Sequence, residues 1–393
     1  AALAKGCSTL KGFLLSDDSR AFMAALQALG VSLEQSGDVL KVHGQATLVS
    51  SDKVWCQDAG TAARFLVAAC AAFPGKFRVD GTERLRERPL ATLVEALKQQ
   101  GAKFDNTQLP CQIEGGSLKG GDLVIDASQS TQFVSALLMV APLMQLPLQL
   151  TAKNLNRQAY IAITCAMMKS FGVEVKQAQD TLKTEMLYSL DLPQQYHART
   201  YEIEPDLSTA SYFFAAAALT GGKVTVNRVQ RAHCLQGDIR FLTVLEKMGC
   251  TVISNESGVT VQGPKALKGI EVNMQDFSDP FLTLAAIAPY ATSPTYITGL
   301  AHTRLQESDR VMAIAAELTK LSVTVETGED WIRISPSTPI AATVSSHNDH
   351  RVAMSLAILA LKTPGVVLEN PDCVAKTCPD FFALLLGLSG EAV

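Results

Sequence analysis

Charged and aromatic residues are scarce in this sequence: only 18% of its 393 residues are Asp, Glu, Lys or Arg, and 6% are aromatic. Basic residues do not outnumber acidic ones, because 34 Lys and Arg stand against 38 Asp and Glu, a formal charge of −4. Nucleic-acid binders carry a basic surplus, so this balance argues against one. The 47% hydrophobic content is enough for large cores and excludes a disordered chain.

Long apolar runs and paired cysteines are also missing. No stretch approaches the roughly 18 apolar residues of a membrane-spanning helix, and even residues 353–361 are interrupted by Ser355. No charged segment followed by a cleavable apolar one indicates export. The nine cysteines include no CxxC pair, and their odd number favours reduced thiols over disulfides or structural zinc. We therefore expect a soluble, cytoplasmic protein that binds no membrane.

The signatures of several enzyme classes are absent as well. There is no HExxH, GxSxG, P-loop or GxGxxG with its βαβ context. These absences argue against metalloproteases, serine hydrolases, NTPases and dinucleotide-dependent dehydrogenases.

One sequence pattern recurs along the chain: a helix-like stretch ending in an apolar pair, then a glycine, then a short strand of alternating apolar residues. The glycine or its equivalent stands at positions 30, 101, 172, 249, 322 and 387, with spacings of 71, 71, 77, 73 and 65 residues. Glycine after an amphipathic helix is typical of a left-handed C-terminal residue, and the alternation predicts a half-buried strand. The period is too long for a solenoid.

Each copy is therefore a mixed α/β module of about 70 residues, and six modules exceed one hydrophobic core. We predict two pseudo-symmetric domains of three modules, residues 1–203 and 204–393, near the loop marked by Pro193, Gln194 and Gln195. The alternative is that such phrases recur by chance, as they can in any α/β protein.

The segment Asp58-Ala-Gly-Thr61 leads directly into an apolar helix predicted over residues 62–73. Free backbone N–H groups at a helix start, beside a flexible glycine, form a ready anion site. Arg64 lies in the first turn, where a cation opposes the helix dipole, so it should face an anion or a carboxylate. A purely structural role for this segment is the alternative.

Four further segments bring cations to predicted helix starts or loops. They are 83–89, where three arginines ending in Arg88 precede a proline, 307–310 with Arg310, 348–351 with Arg351, and 373–377 with Lys376. The planar guanidinium fork suits phosphate and carboxylate groups. Cations at helix starts and loops in both halves of an acidic protein indicate a site where positive charge is concentrated for a multiply anionic ligand. For Arg88, a solvated charged face is the alternative.

Polar residues precede three other apolar helices. Ser130, Thr131 and Gln132 open one of them, and phosphate binding or N-capping would explain them equally well. The Asp206 segment has the same form without a nearby cation, which favours capping. Asp279 stands before a proline and an apolar helix, either as a candidate base or as an N-cap.

These segments and their neighbours resemble the motif set of the 5-enolpyruvylshikimate-3-phosphate synthase family, in order from Ala1 to about Leu388. The matching segments are Asp58-Ala-Gly-Thr-Ala-Ala-Arg64, Glu87-Arg-Pro89, Gln132-Phe-Val-Ser-Ala-Leu-Leu-Met139, Ser208-Thr-Ala-Ser-Tyr212, Leu235-Gln-Gly-Asp238, Glu307-Ser-Asp-Arg310, Asn348-Asp-His-Arg351 and Ala375-Lys-Thr377.

The resemblance implies an enolpyruvyl transferase-like inside-out α/β barrel: two domains, each of three βαβαββ units, that close over a cleft. It implies transfer of the carboxyvinyl group of phosphoenolpyruvate to the 5-hydroxyl of shikimate 3-phosphate, with release of phosphate, in chorismate biosynthesis. No metal or organic cofactor is implied. We expect a monomer whose partners are these two small molecules.

The resemblance also implies roles for individual residues. The phosphoenolpyruvate contacts are Gly60, Arg88, Gln132, Arg310, Arg351 and Lys376. Asp279 would accept the proton of the attacking hydroxyl, and Glu307 would transfer a proton at the donor methylene. The shikimate 3-phosphate contacts are Ser130, Thr131, Gln132, Arg157, Tyr160, Asp279, His302 and Gln306.

The sequence departs from the family pattern in several places. The family's leading strand and Lys-Ser…Arg segment are absent, and residues 1–6 resemble the end of the helix that follows them, so we expect a missing N-terminal segment. The family's Ser-Lys-Pro-Tyr reads Arg157-Gln-Ala-Tyr160, and its Asn and Lys near residue 307 read His302 and Gln306. Phe65 replaces a usual proline, which bears on sensitivity to glyphosate-type inhibitors.

Three functions are therefore compared. The leading one is the enolpyruvyl transferase of the shikimate pathway. The second is the same donor chemistry on a different acceptor, motivated by Arg157, His302 and Gln306. The third is a catalytically silent binding or scaffold protein, motivated by the missing Lys-Ser…Arg segment. Transfer to a UDP-sugar is disfavoured, since that related family relies on a loop cysteine with no counterpart here.

Overall fold

The computed structural model describes residues 1–155, 158–179 and 185–388, and the chain divides into two compact units, Ala1–Ile203 and Glu204–Val393. Each unit has its own core of buried apolar side chains. Strands and helices alternate along both units, so the predicted α/β class is confirmed. None of the helices in these ranges has both the length and the apolar character needed to cross a bilayer.

The first unit contains twelve strands and six α-helices in the part that the structure describes. Its strands are β1 (Gly6–Lys11), β2 (Ser32–Ser36), β3 (Val39–Gly44), β4 (Ser51–Trp55), β5 (Gly75–Asp80), β6 (Lys103–Phe104), β7 (Cys111–Gly115), β8 (Gly121–Asp126), β9 (Leu148–Lys153), β10 (Lys176–Gln179), β11 (Glu185–Leu190) and β12 (Thr200–Glu202). Its helices are α1 (Asp17–Ala28), α2 (Gly60–Ala72), α3 (Glu83–Glu87), α4 (Ala91–Gln99), α5 (Gln132–Val140) and α6 (Gln158–Ser170).

Each sheet of the first unit combines one parallel strand pair with antiparallel pairs. The strand orders are β12-β1-β3-β2, β4-β5-β7-β6 and β8-β9-β11-β10, and the first two strands of each run parallel. The second and third sheets follow the chain as strand, helix, strand, helix, strand, strand, which is the βαβαββ order. The first sheet takes its parallel edge strand, β12, from the far end of the unit, with Thr9 opposite Thr200.

The second unit is built from nine strands and six α-helices among its described residues. Its strands are β13 (Lys223–Asn227), β14 (Thr251–Asn255), β15 (Gly258–Gln262), β16 (Glu271–Asn273), β17 (Thr295–Thr298), β18 (Val325–Thr327), β19 (Trp331–Ile334), β20 (Thr343–Ser345) and β21 (Val367–Glu369). Its helices are α7 (Leu207–Thr220), α8 (Phe241–Lys247), α9 (Phe281–Ile287), α10 (Arg310–Lys320), α11 (His350–Ala360) and α12 (Phe381–Gly387).

The sheets of the second unit differ in size. The order β16-β17-β19-β18 repeats the pattern of the first unit, with β16 and β17 parallel. The sheet β13-β15-β14 is antiparallel, and β20-β21 is a parallel pair. Within the described residues, the four-stranded pattern is therefore found in one of the three sheets here.

The central helices of both units are apolar around most of their circumference. Helices α2 and α5 pack on one another, and α9 packs on α7 and α11. On α7, for example, Ala210, Phe214 and Leu219 are all buried. A helix that is apolar all round belongs in a core. Strands β5 and β7 alternate buried and exposed residues, so one face of their sheet covers the helices and the other meets water.

The recurring glycines end helices, as the repeat predicts. At five of the six repeat positions a left-handed residue follows a helix: Gly30 (φ +89°), Gly101 (φ +109°), Gly172 (φ +91°), Gly249 (φ +103°) and Ser322 (φ +63°). Glycine adopts this conformation without a steric penalty because it has no Cβ. The sixth position, Gly387, instead lies inside the last turn of α12.

The first residues differ from the expectation of a helix end over residues 1–6. The structure has a single turn there, in which Ala4 N donates to Ala1 O at 2.9 Å. Strand β1 begins at Gly6 and pairs with β3 along its whole length. One isolated turn is too short to sustain a helix, because nucleation costs more than a single hydrogen bond returns.

Strand β7 ends against the backbone of helix α2. A Cβ atom added to Gly115 would overlap the carbonyl oxygens of Cys70 and Phe73. The next residue, Gly116, has nothing within 4 Å of such an atom, and its N–H donates to Ala71 O at 3.1 Å. The close approach of strand and helix therefore requires glycine at 115 and not at 116.

We expect Gly115→Ala to lower the free energy of unfolding by about 1–3 kcal/mol, because backbone atoms rather than a flexible side chain must move. Gly116→Ala is the matched control and should change it by less than about 0.5 kcal/mol. Urea unfolding followed by circular dichroism measures both. Equal effects of the two substitutions would contradict the close approach.

Candidate active site

In the first unit, helix α2 begins at Gly60 without a side-chain cap. Its N-cap residue, Ala59, offers no side-chain oxygen to the first turn, so the helix start keeps N–H groups for another acceptor. Just ahead of it, Asp58 accepts a hydrogen bond from Thr82 Oγ1 at 3.2 Å. A helix start of this form suits an anion.

Two arginine side chains meet at the backbone of Gly60. A Cβ atom added to this glycine would lie 2.6 Å from Arg88 Nη1 and 2.8 Å from Arg64 Nη1. Any larger residue would displace the two guanidinium groups. Two like charges held close together at a helix start favour an anionic ligand between or beside them.

Arg64 is nearly buried and bridges three segments of the first unit. It donates to Gln132 Oε1 at 2.8 Å and to Pro89 O at 3.0 Å, and its guanidinium lies 5.7 Å from the centre of the Phe133 ring. Gln132 donates in turn to Thr61 Oγ1 at 2.8 Å. These partners are neutral groups that orient the Arg64 guanidinium.

The three arginines of segment 83–89 have different surroundings. The segment forms the short helix α3. The helix start predicted near the proline corresponds to the start of α4. Arg84 pairs with Glu87 at 2.8 Å and Arg86 pairs with Asp80 at 2.8 Å, both in partly exposed positions. Arg88, at the C-terminal end of α3, is the one that reaches the start of α2.

The hydroxyl segment ahead of α5 makes a capping interaction. Ser130 Oγ accepts from the backbone N–H of Gln132 at 3.3 Å, whereas the side chain of Thr131 makes no cap hydrogen bond. Tyr160 lies in the first turn of α6, which packs on α5. Arg157 lies outside the described residues.

The second unit buries one arginine among acidic side chains. Arg310, the first residue of α10, is 2% exposed. A guanidinium has five N–H donors, and here each one has an acceptor. Nε donates to Asp349 Oδ2 at 2.8 Å, and Nη1 donates to Gln306 Oε1 at 2.7 Å and Asp279 Oδ1 at 3.2 Å. Nη2 donates to Glu307 Oε2 at 2.9 Å and Asp349 Oδ1 at 3.3 Å.

Asp279 bridges Arg310 to a second arginine. Its Oδ2 lies 3.1 Å from Arg351 Nη2, while its Oδ1 accepts from Arg310. Helix α9 begins two residues beyond Asp279, with Pro280 as its N-cap residue. The side chains of Asp279 and Glu307 are 13% and 14% exposed, which leaves both accessible to a ligand. Asp279, Glu307, Arg310, Asp349 and Arg351 together form the carboxylate–arginine cluster.

Burial and charge shift the pKa values within this cluster. Burial acts to lower the pKa of Arg310, but the carboxylates of Asp349, Glu307 and Asp279 outweigh it and raise the pKa above its usual value. Burial likewise opposes the charged form of Asp349, and Arg310 holds the pKa of that carboxyl below its usual value. For Arg351, Asp279 more than offsets burial and raises the pKa. These three groups are therefore charged at neutral pH.

Two buried neighbours of the cluster titrate abnormally. Burial, followed by repulsion from Asp279, raises the pKa of Asp238 to about 7, and this carboxyl accepts a hydrogen bond from Ser208 Oγ. Burial, followed by the positive charge of Arg351, lowers the pKa of His350 to about 3. Near neutral pH the imidazole is therefore uncharged, whereas Asp238 is close to its titration midpoint.

Two other predicted residues of this unit, His302 and Gln306, lie beside members of the cluster, and the third, Lys376, belongs to a separate turn. His302 Nε2 is 2.7 Å from Ser278 Oγ, directly before Asp279 in the chain. Gln306 supplies one acceptor to Arg310. Lys376 ends a turn of 3-10 helix, Pro371–Lys376, which packs against α11.

Asp349 and Asp238 belong to matched segments, but the sequence predicted no role for either. Asp349 caps α11 by accepting from Arg351 N at 3.0 Å, and an Asp directly before an apolar helix is the local signal for such a cap. No neighbouring residue predicts that Asp349 pairs with Arg310, which is 39 residues away in the chain. Among the described residues, no three His, Cys, Asp or Glu side chains gather as metal ligands.

We expect Asp349→Asn to lower the free energy of unfolding by about 3–5 kcal/mol, because it leaves a buried guanidinium partly uncompensated. Glu326→Gln, which breaks an exposed pair with Arg333, is the control and should cost less than about 1 kcal/mol. Denaturant unfolding at pH 7 measures both. If Asp349→Asn lowered the free energy of unfolding as little as the control does, Arg310 would not depend on this carboxylate.

Comparison with known proteins identifies relatives along the whole chain. The family model of EPSP synthase (3-phosphoshikimate 1-carboxyvinyltransferase) matches residues 1–385. The 3-phosphoshikimate 1-carboxyvinyltransferase of Trichormus variabilis is 42% identical over 400 residues, covering 100% of this chain and 92% of the relative. The 3-phosphoshikimate 1-carboxyvinyltransferase 2 of Halalkalibacterium halodurans is 38% identical over 393 residues, covering 98% and 87%.

Solved structures give the same result for the fold. EPSP synthase from Acinetobacter baumannii superposes with a TM-score of 0.81 at 25% identity, over 98% of this chain and 91% of that one. The enolpyruvyl transferase NikO from Streptomyces tendae gives 0.75 at 18% identity, over 99% and 90%, and shares the fold. The resemblance seen in the motifs is confirmed, and the chain belongs to the EPSP synthase (3-phosphoshikimate 1-carboxyvinyltransferase) family.

Proposed function

We propose that this chain transfers the enolpyruvyl group of phosphoenolpyruvate to the 5-hydroxyl of shikimate 3-phosphate and releases phosphate, as a step of aromatic amino acid biosynthesis. The observation that carries the proposal is the carboxylate–arginine cluster in a chain of this family. Two accessible carboxylates, Asp279 and Glu307, lie against Arg310 and Arg351, so groups for proton transfer and for anion binding occur together.

The donor needs cationic partners because it carries a carboxylate and a phosphate. The proposed donor contacts are Gly60, Arg88 and Gln132 in the first unit, and Arg310, Arg351 and Lys376 in the second. In the first unit, the uncapped start of α2 adds backbone N–H groups to the guanidinium of Arg88. Charged hydrogen bonds of this kind hold the donor and stabilise negative charge that develops during the reaction.

Arg310 has to exchange a partner to bind the donor, since each of its N–H groups already has an acceptor. Asp349 is fully buried, whereas Asp279 and Glu307 are accessible. A donor carboxylate that replaces Asp279 or Glu307 keeps the guanidinium compensated. The exchange would also release a protein carboxylate for proton transfer.

The proposed reaction adds and then eliminates across the donor double bond. The acceptor oxygen forms a bond to C2 of phosphoenolpyruvate while its proton passes to Asp279. The double-bond electrons take a proton at the methylene carbon from Glu307, which carries a proton from water once the donor carboxylate has replaced it at Arg310. The intermediate then returns that proton to Glu307, the double bond re-forms, and the bond from C2 to the phosphate oxygen breaks. The proton on Asp279 leaves with phosphate, which restores the starting state.

The acceptor contacts are the less uniform part of the proposal. They are Ser130, Thr131, Gln132, Arg157, Tyr160, Asp279, His302 and Gln306. His302 and Gln306 differ from the family's usual residues, and Gln306 is engaged by Arg310. A different hydroxylated acceptor with the same donor chemistry is therefore the second candidate function.

Phosphate release from phosphoenolpyruvate in the presence of shikimate 3-phosphate tests the proposal. We expect release that requires both substrates and yields one enol ether per phosphate, measured by phosphate assay and mass spectrometry. A panel of other hydroxylated acceptors separates the second candidate, which predicts release with one of them and none with shikimate 3-phosphate. Absence of release with every acceptor would contradict both functions. We also propose a cytoplasmic monomer, which size-exclusion chromatography tests for the oligomeric state.

We expect Asp279→Asn to lower kcat by about 10²–10⁴-fold, because the amide keeps the size of the side chain but cannot take the hydroxyl proton. The dissociation constant for phosphoenolpyruvate should change far less than kcat. Asp276→Asn is the control and should leave both values unchanged. Asp276 lies three residues before Asp279 and forms an exposed pair with Arg240. Steady-state kinetics and calorimetry give the two constants. Equal losses of binding and turnover would assign Asp279 a structural role.

A further inference from the structure

We propose that Glu317 is a positioning residue for Arg351 and acts through the loop between strand β20 and helix α11. This inference rests on the proposed function, because donor binding is its main readout. Glu317 lies in α10, two turns after Arg310, and its side chain is 1% exposed. A buried carboxylate needs partners that compensate its charge, and Glu317 has three of them: Lys320, Ser345 and His347.

The carboxylate of Glu317 collects donors from the loop. Its Oε2 accepts from Ser345 N at 2.9 Å, and its Oε1 lies 2.7 Å from His347 Nε2. Lys320 Nζ, in the same helix, donates to the two oxygens at 2.9 and 2.8 Å. The lysine compensates the buried charge, while the other two contacts fix the end of β20 and the first part of the loop.

The other end of the loop is fixed by the same helix. Asp349, the last loop residue, accepts from Arg310 and from Ser308 Oγ at 2.9 Å. Arg310 and Glu317 are seven residues apart, which places them on one face of α10, about 10 Å apart along its axis. Helix α10 therefore holds the loop at both of its ends.

The loop has a backbone conformation that needs such support. His347 and Asn348 are consecutive non-glycine residues in the left-handed region, with φ of +52° and +54°. Non-glycine residues are uncommon in this region, and although Asn and His adopt it more often than most, two in succession need restraint by their surroundings. The contact of Glu317 with His347 is one such restraint. A hydrogen bond from Asn370 Nδ2 to Asn348 Oδ1 is another.

The loop leads directly into the proposed donor site. Asp349 caps α11 through Arg351 N, and the Arg351 guanidinium pairs with Asp279 at 3.1 Å. If the loop relaxes, the start of α11 moves and carries Arg351 with it. Asp279 and Glu307 belong to other segments and keep their places. Loss of the Glu317 contacts should therefore impair donor binding more than turnover.

Kinetics of loop variants test the positioning role. We expect Glu317→Gln and His347→Ala each to raise KM for phosphoenolpyruvate about tenfold, with kcat changed less than about threefold. KM for shikimate 3-phosphate should be unchanged. His347 is accessible, with 36% of its side chain exposed, so its substitution disturbs the fold less than that of the buried Glu317. The His347→Ala variant therefore tests the same contact if Glu317→Gln does not fold. The matched variant His347→Gln keeps an N–H donor for Glu317 and should behave as the unmodified chain.

Amide hydrogen exchange over residues 343–351 gives a readout that does not depend on activity. Exchange should accelerate in Glu317→Gln and His347→Ala and not in His347→Gln. If the unmodified chain shows no transferase activity, the proposed function fails, while faster exchange still supports the restraint of the loop. Unchanged exchange and unchanged KM in His347→Ala would overturn the proposal. Parallel losses in kcat and in both KM values would also overturn it, since they indicate a general structural role.

Discussion

Arg310 carries a full positive charge in a position where water cannot compensate it, and the second unit is organised around that requirement. Removing a guanidinium from water is costly unless every N–H group finds an acceptor. The acceptors come from Gln306 and Glu307 just before α10, from Asp279 before α9, and from Asp349 before α11. One buried side chain therefore fixes the starts of three helices relative to one another.

The two units hold their arginines in different ways. In the first unit, Arg64 is oriented by neutral acceptors, the side chain of Gln132 and the carbonyl of Pro89. In the second unit, Arg310 and Arg351 are paired with carboxylates. An anion that binds Arg310 must exchange with a protein carboxylate, because each N–H group of Arg310 already has an acceptor. The exchange couples anion binding to the release of a group that can move a proton.

Four of the proposed donor contacts share one architectural position. Gly60, Gln132 and Arg310 are the first residues of α2, α5 and α10, and Arg351 is the second residue of α11. Most residues of each of these helices are buried. Their starts are the places where backbone N–H groups and polar side chains can meet a ligand.

The sequence by itself determined the features that depend on neighbouring residues. Alternating apolar positions, glycines after helices and the Asp206 cap are local, and the structure has them. The motif order was enough to predict the family, and much of the site follows from it. The role of each site residue is still a proposal.

Tertiary structure decided what depends on distant partners. Arg310 and Asp349 are 39 residues apart, and Arg64 and Gln132 are 68 residues apart, so no local pattern predicts their pairing. The same holds for the use of all five donors of Arg310, for the sheets with three and two described strands, and for the strand at Gly6. Local propensity acts through adjacent residues, whereas ion pairs and strand pairing depend on which segments the folded chain brings together.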